Sequence, residues 1–476
     1  MTTVTITDLC FTSAADLLAG FRAGSISPVE VTEAVLMRIE QLNPRLRAFL
    51  YVDADGAMRA ARAAEAAYRA GNAGPLAGVP ISIKDLAQVR GMPMTYGSLL
   101  YKDYVPDEDA WSVARLRAAG AVLLGKTNTP EFGSLPTNEN RLGESARNPW
   151  NPERTPGGSS GGAGAAVAAG LGPIGHGTDF GGSIRIPAAM CGVVGFKPTL
   201  GRIARDTSFN LTGEFFSHEG PLARSVRDAA LFMDACAGPD ARDTFSQIGQ
   251  PPAFAANLES LPKGVRVAWT PDLGYARCDR AYLDVCERAV RRFEAVIDTI
   301  AQDAPEGAGA GLEAWRVAGA AGNYSAERAA LQREHAEELT PVVRHGLQEM
   351  EKTSLLQYFD ALTALRQWRR QAGAFFERCD LLITPALPNA AIAIGARTFT
   401  IDGEEQPNTF GLIAFTAPFN ATGQPVVSMP CGFTPDGLPV AVQIAGRFGD
   451  DLLVLQAARA FEQAVPDALQ RPSFEG

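Results

Sequence analysis

Apolar residues along the chain recur with two periods, and the switching between them predicts alternating helices and strands. Val31, Val35, Leu36 and Ile39 follow at helical spacing behind Ser27-Pro28-Val29-Glu30. That tetrapeptide reads as an N-cap, a proline at the first helical position and the glutamate of a capping box. Asn43-Pro44 is expected to end this helix. A second helix is expected over 57–70, closed by Gly71, so residues 1–75 read as an N-terminal helical segment. The run from Gly78 to Asp85 contains Ile81, Ser82, Ile83 and Lys84 and alternates as a short strand that ends on a lysine. Residues 112–119 predict a helix and 121–124 a buried strand. Beyond a Gly/Ser/Ala-rich centre at 155–201, helices are expected over 225–237, 279–300, 325–378 and 450–463. Strands are expected at 265–269, 381–385, 426–429 and 440–444. The segment 304–311 reads as a surface loop. Strands alternating with helices predict an α/β fold with a covered sheet, and no internal repeat is visible.

Composition narrows the class. The 476 residues are 46% apolar and 20% charged, which suits an ordered core and excludes a disordered chain. The net charge is −10 with no basic block, so nucleic acid is not an expected partner. The seven cysteines are scattered and show no CxxC spacing, which argues against a disulfide framework or a thiolate zinc site. The first ten residues lack the charged and apolar regions of a signal peptide. No apolar run approaches the ~20 residues of a membrane span. A cytoplasmic protein without metal or cofactor is expected. Only six of the 43 basic residues are lysines.

Two motif matches fail on context. Gly120 to Thr127 fits G-x-x-x-x-G-K-[ST], but a helix precedes it and its Ala-Val-Leu-Leu middle is strand-like, unlike a phosphate-cradling nest. Gly157-Gly158-Ser159-Ser160-Gly161 fits the G-x-S-x-G nucleophile elbow, which needs a downstream acid and histidine. The chain has four histidines. His335 and His345 lie in charged helical segments, and His218 lies in a loop that leaves it open as a base.

A third match is longer. It runs from Gly157 to Ala188 and includes the Gly-Gly-Ser159-Ser160-Gly-Gly turn and Gly177-Thr178-Asp179-Phe180-Gly181-Gly182-Ser183-Ile184-Arg185-Ile186-Pro187-Ala188. Glycines before Ser183 allow a sharp strand-to-helix turn that aims several N–H groups at one spot, as an oxyanion hole requires. Ser183 is then a plausible nucleophile in want of a base, and lysine is the remaining candidate. Lys84 ends an apolar strand, where burial would lower its pKa enough to leave it neutral. Its alternative reading is a lysine that snorkels or pairs with Asp85.

The segment resembles the signature of the amidase signature family. Ser159 and Ser183 stand 24 positions apart and Lys84 stands 75 before Ser159, both at the family's spacing. The likeness extends over nearly the whole chain, through Leu124 to Asn128, Arg147 to Asn151 and Phe415 to Gly446. It implies one large domain, 1–476, whose mixed, mostly covered sheet is sandwiched by helices. Within it a catalytic core is expected at 76–205 with the signature at 157–188, and a helical substrate-side insertion at 310–378. It implies a Ser–cis-Ser–Lys triad of Ser183 as nucleophile, Ser159 as bridging serine and Lys84 as base. The N–H groups of Phe180, Gly181, Gly182 and Ser183 would form the oxyanion hole, with Ser160, Asp179 and Arg185 in support and Phe132, Gly133 and Ser134 lining the substrate.

The expected activity is hydrolysis of a linear carboxamide, anilide, oligoamide or carbamate through an acyl-enzyme. The partner is a small-molecule amide, there is no membrane partner, and a homodimer is a family-level expectation. The alternative is the glutaminase subunit of the tRNA-dependent amidotransferase, against which stand residues 310–378 and the Asn420 to Gln424 stretch. A binding protein without activity would have lost Lys84, Ser159 or Ser183, and all three are present.

Overall fold

The structure, a computed structural model, describes residues 6–205, 215–297, 299–322 and 326–474. Thirteen strands lie among these: β1 Phe49–Val52, β2 Pro80–Lys84, β3 Val122–Thr127, β4 Ile174–Asp179, β5 Val194–Lys197, β6 His218–Ala223, β7 Val267–Trp269, β8 Ile300–Gln302, β9 Leu381–Pro385, β10 Thr398–Ile401, β11 Glu404–Pro407, β12 Val426–Phe433 and β13 Pro439–Gly446. Eleven form one mixed sheet in the order β1-β3-β2-β4-β6-β5-β12-β13-β9-β7-β8, and β10 and β11 form a separate hairpin. β2 runs parallel to both β3 and β4, whereas β4, β6, β5, β12, β13 and β9 pair antiparallel in succession. The fold is therefore the expected mixed α/β architecture.

Two sets of helices cover the sheet. Gly161–Ala168 and Arg185–Cys191 pack on each other and against β2, β4, β5, β12 and β13. Val226–Cys236, Arg280–Ile297 and Asp451–Ala464 pack over β5, β6, β12 and β13. β2 and β3 are accordingly buried along their whole length.

Local signals hold at the first helices. Ser27 caps Pro28–Leu46 with a complete capping box, and Gly71 closes Ala54–Ala70 in the left-handed conformation. Two expectations are corrected. Pro44 does not end its helix, which continues to Leu46, because a proline one turn from a C-terminus removes little of the ladder. The stretch 304–311 is only half loop: a helix starts at Ala308, and a Cβ on Gly311 would sit 2.4–2.8 Å from the Trp368 ring, so this glycine marks close helix packing. The run 325–378 is helical, as expected, and is divided into several helices. Within the described residues it holds Ala326–His335, Pro341–Glu351 and Leu355–Arg378, the last two begun by Thr340 and Ser354 as caps; residues 323–325 lie outside the described set. Helices Ala308–Gly322 and Leu355–Arg378 pack together and onto the short helix Ala417–Thr422, where Trp368 Nε1 donates to Pro418 O at 3.0 Å.

Candidate active site

Parallel pairing of β2 and β4 brings the end of one strand beside the end of the other. Lys84, the last residue of β2, is fully buried, and its Nζ lies 2.7 Å from Ser159 Oγ and 2.8 Å from Thr178 Oγ1 on β4. Burial pushes the Lys84 ammonium well below its ordinary pKa, opposed in part by the charge of Asp179. Asp85 is not its partner: that carboxylate faces Lys126 Nζ at 3.2 Å, and Lys126 also donates to Ala87 O. The lysine of the phosphate-loop look-alike is therefore a buried ion pair at the end of β3.

Ser159 lies in the turn before helix Gly161–Ala168, behind a cis Gly158–Ser159 peptide. Its neighbour Ser160 is fully buried, exchanges hydrogen bonds with Thr178 N and O, and donates its own N–H to Ser183 O at 3.1 Å. That last bond ties the Ser159-Ser160 turn to the turn carrying Ser183. Among the described residues the Ser183 hydroxyl makes no hydrogen bond, and Ser183 is only half-buried.

The Ser183 turn is held from within by Asp179 and Arg185. Arg185 Nε and Nη2 grip Asp179 at 3.1 and 3.0 Å, and Asp179 also accepts from the N–H groups of Gly182 and Ile184. Burial alone would raise the Asp179 pKa, but the Arg185 charge and hydrogen bonds hold it well below the usual carboxylate range. Asn420 reaches in from helix Ala417–Thr422 to Asp179 Oδ1 and O, and Thr416 Oγ1 donates to Gly181 O. One expected oxyanion donor is corrected: the Gly182 N–H donates to Asp179 Oδ1, 2.8 Å away, a carboxylate that Arg185 holds in place beneath the turn. The N–H groups of Phe180, Gly181 and Ser183 carry no such commitment among the described residues.

His218 opens β6 rather than a loop, with Nδ1 near Asp179 O at 3.2 Å; burial, then the Lys197 charge, pushes its pKa well down. Neither it nor His176, which sits against Glu219 at 3.1 Å, bonds to Ser159 or Ser183. Gly133 approaches the site: a Cβ there would lie 3.1 Å from Ser159 Oγ. Phe132 beside it is half-buried among Tyr96 and Tyr101, and Ser134 is exposed. On the other flank, Phe180 packs against Phe216 and Trp315. A cavity of about 590 Å³ between helix Ala54–Ala70 and β3 is lined by none of the three candidate residues. No group of three or more His, Cys, Asp or Glu suited to a metal occurs among the described residues, and no helix there is long and apolar enough to cross a membrane.

Thr178, Thr416 and Asn420 escape a reading of the sequence, because each acts across a long sequence gap. The one local signal is Asn420 itself, an amide inside the apolar run Phe415 to Ala421.

Comparison with known proteins identifies the family. The Amidase family model matches residues 30–455. An acylamidase of Rhodococcus erythropolis is 36% identical over 98% of both chains. A glutamyl-tRNA(Gln) amidotransferase component of Roseiflexus castenholzii is 38% identical over 92% of this chain and 93% of its own. The solved structure of a bacterial aryl acylamidase of the amidase signature family superposes with a TM-score of 0.89, at 30% identity, over 98% of this chain and 99% of that one. The chain belongs to the amidase family, the amidase signature enzymes, and is an amidohydrolase.

Proposed function

We propose that the enzyme hydrolyses the C–N bond of a linear amide through a covalent acyl-enzyme, with Ser183 as nucleophile, Ser159 as proton bridge and Lys84 as base. The observation that carries this reading is the 2.7 Å contact between Lys84 Nζ and Ser159 Oγ, in a buried setting that favours a neutral amine. Neutral Lys84 takes the Ser159 proton as Ser159 takes that of Ser183. Ser183 Oγ adds to the amide carbon, and the N–H groups of Phe180, Gly181 and Ser183 receive the oxyanion. The C–N bond breaks as Ser159 protonates the leaving nitrogen, its proton restored from Lys84. Water then adds to the Ser183 ester, giving its proton back along the same relay and releasing the carboxylic acid. Ser160, Asp179 and Arg185 keep the two turns in register, and Phe132, Gly133 and Ser134 border the substrate.

Substrates are carboxamides, anilides, oligoamides or carbamates, acted on by the chain alone. A second reading, the glutaminase subunit of an amidotransferase, has the amidotransferase relatives in its favour. The aromatic flanks Tyr96, Tyr101, Phe132 and Phe180, Phe216, Trp315 favour the first. The test is a panel of simple amides, anilides, carbamates and glutamine, assayed with the purified chain and its Ser183→Ala variant. Turnover of the panel by the lone wild-type chain and its loss in the folded variant are expected. Turnover of glutamine only after partner proteins are added would select the second reading, and near-wild-type activity of Ser183→Ala would overturn the nucleophile.

A further inference from the structure

Glu131 carries a carboxylate that the proposed chemistry does not use, and it is one of the most heavily engaged side chains near the site. It is 1% exposed and opens the turn Glu131–Gly133. One oxygen accepts from Ser98 Oγ at 2.6 Å, and the other accepts from both Thr340 N, at 2.6 Å, and Thr340 Oγ1, at 2.7 Å. Thr340 is the N-cap of helix Pro341–Glu351, yet its hydroxyl makes no capping bond to that helix. The cap residue turns both of its donors to Glu131 instead. The helix start is therefore anchored from outside, with a negative group where the helix dipole favours one.

The same helix supplies Val343 and Leu347, which with Leu339 form a small apolar cluster against Leu100, Phe132 and Met350, separate from the main cores. Phe132 follows Glu131 directly, is held by its N–H to Tyr96 O at 2.7 Å, and meets the rings of Tyr96 and Tyr101. Gly133 comes next and abuts Ser159. One carboxylate thus joins three separate stretches of chain: the tyrosine loop through Ser98, the helical insertion through Thr340, and the turn beside Ser159 through its own backbone.

We infer that Glu131 is a positioning residue for substrate selection: through Thr340 it holds helix Pro341–Glu351 and Phe132 as a preformed apolar wall beside Ser159, and this wall selects amides with an aromatic or bulky apolar substituent. The inference rests on the proposed role of Ser159 and Ser183. An apolar wall acts by binding, so its loss raises KM for substrates that touch it, whereas a general loss of structure lowers kcat for all of them.

The experiment measures kcat and KM for acetamide, benzamide and acetanilide with the full-length wild type, Glu131→Gln, Glu131→Ala and Thr340→Val. Thr340→Val keeps the N–H bond and removes the hydroxyl, so it remains informative if Glu131→Ala fails to fold. The expected result is an about ten-fold or larger fall in kcat/KM for benzamide or acetanilide relative to acetamide, carried by KM, in the Glu131 variants and a smaller fall in Thr340→Val. Unchanged ratios, or an equal loss on all three substrates carried by kcat, would overturn it. Failure of the underlying reading is distinguishable, because Ser183→Ala would then retain turnover.

Discussion

Lys84, Lys126 and Lys197 are all fully buried, and their neighbours give them different chemistry. Lys126 is matched by Asp85, and Lys197 donates to the carbonyls of Gln424 and Pro198. Lys84 meets two hydroxyls, those of Ser159 and Thr178, and a hydroxyl is a group that can hand over a proton. In the proposed relay a neutral amine is the active form, so kcat/KM should rise with pH along a limb lying well below the ordinary lysine pKa. Lys84→Met should lose ~10²–10⁴ in kcat/KM. Its melting temperature should hold or rise, because it replaces a desolvated amine by a side chain of similar size. Lys84→Arg, permanently charged, should be inactive and show no limb. Rate–pH profiles with circular dichroism check all three; a limb that persists in either variant would remove Lys84 from the role of base. Lys84 was legible because its strand alternates and its spacing to Ser159 is characteristic. Thr178 was not, since only the pairing of β2 with β4 brings it to the amine.

At the scale of elements, the legible strands were those whose side chains are mostly apolar: β2, β3, β7, β9, β12 and β13. β4 reads Ile-Gly-His-Gly-Thr-Asp and β6 reads His-Glu-Gly-Pro-Leu-Ala, patterns that carry no period-2 signal, yet both are buried throughout. Their carboxylates are accommodated inside because each has a cationic or imidazole partner, Glu219 in His176 of the neighbouring strand and Asp179 in Arg185 of helix Arg185–Cys191. The turn that β4 feeds has little room to move. A Cβ on Gly182 would overlap Thr416 and lie 2.9 Å from Ile186 Cδ1, at a φ that side chains rarely adopt. Gly182→Ala should therefore fold with a lowered melting temperature and lose at least ~10² in kcat, the scale of one misplaced oxyanion donor. A fluorophosphonate that labels wild-type Ser183 should label this variant correspondingly slowly, and an unchanged labelling rate would mean that the turn tolerates the displacement.

Across the whole molecule, the sheet mixes charge into its centre, and this sets the response to acid. Burial would raise the Glu219 pKa, but His176 and Arg205 hold it down to about 2. Its ionised form therefore stabilises the fold fully above the unfolded value near 4.5, and that contribution is lost as pH falls toward 2. The shift corresponds to ~3 kcal/mol. Glu219→Gln should flatten the acid limb of stability by about that amount between pH 4.5 and 2; urea titrations at several pH values measure it, and parallel limbs for the two proteins would refute it. The placement of lysines has a practical consequence at this scale. Lys102, Lys263 and Lys352 are exposed, whereas the other three are sealed in the interior. Amine-directed coupling to a resin or a dye would therefore engage three known lysine side chains. Lys84 would stay unmodified as long as the fold is intact, so its acylation would report unfolding.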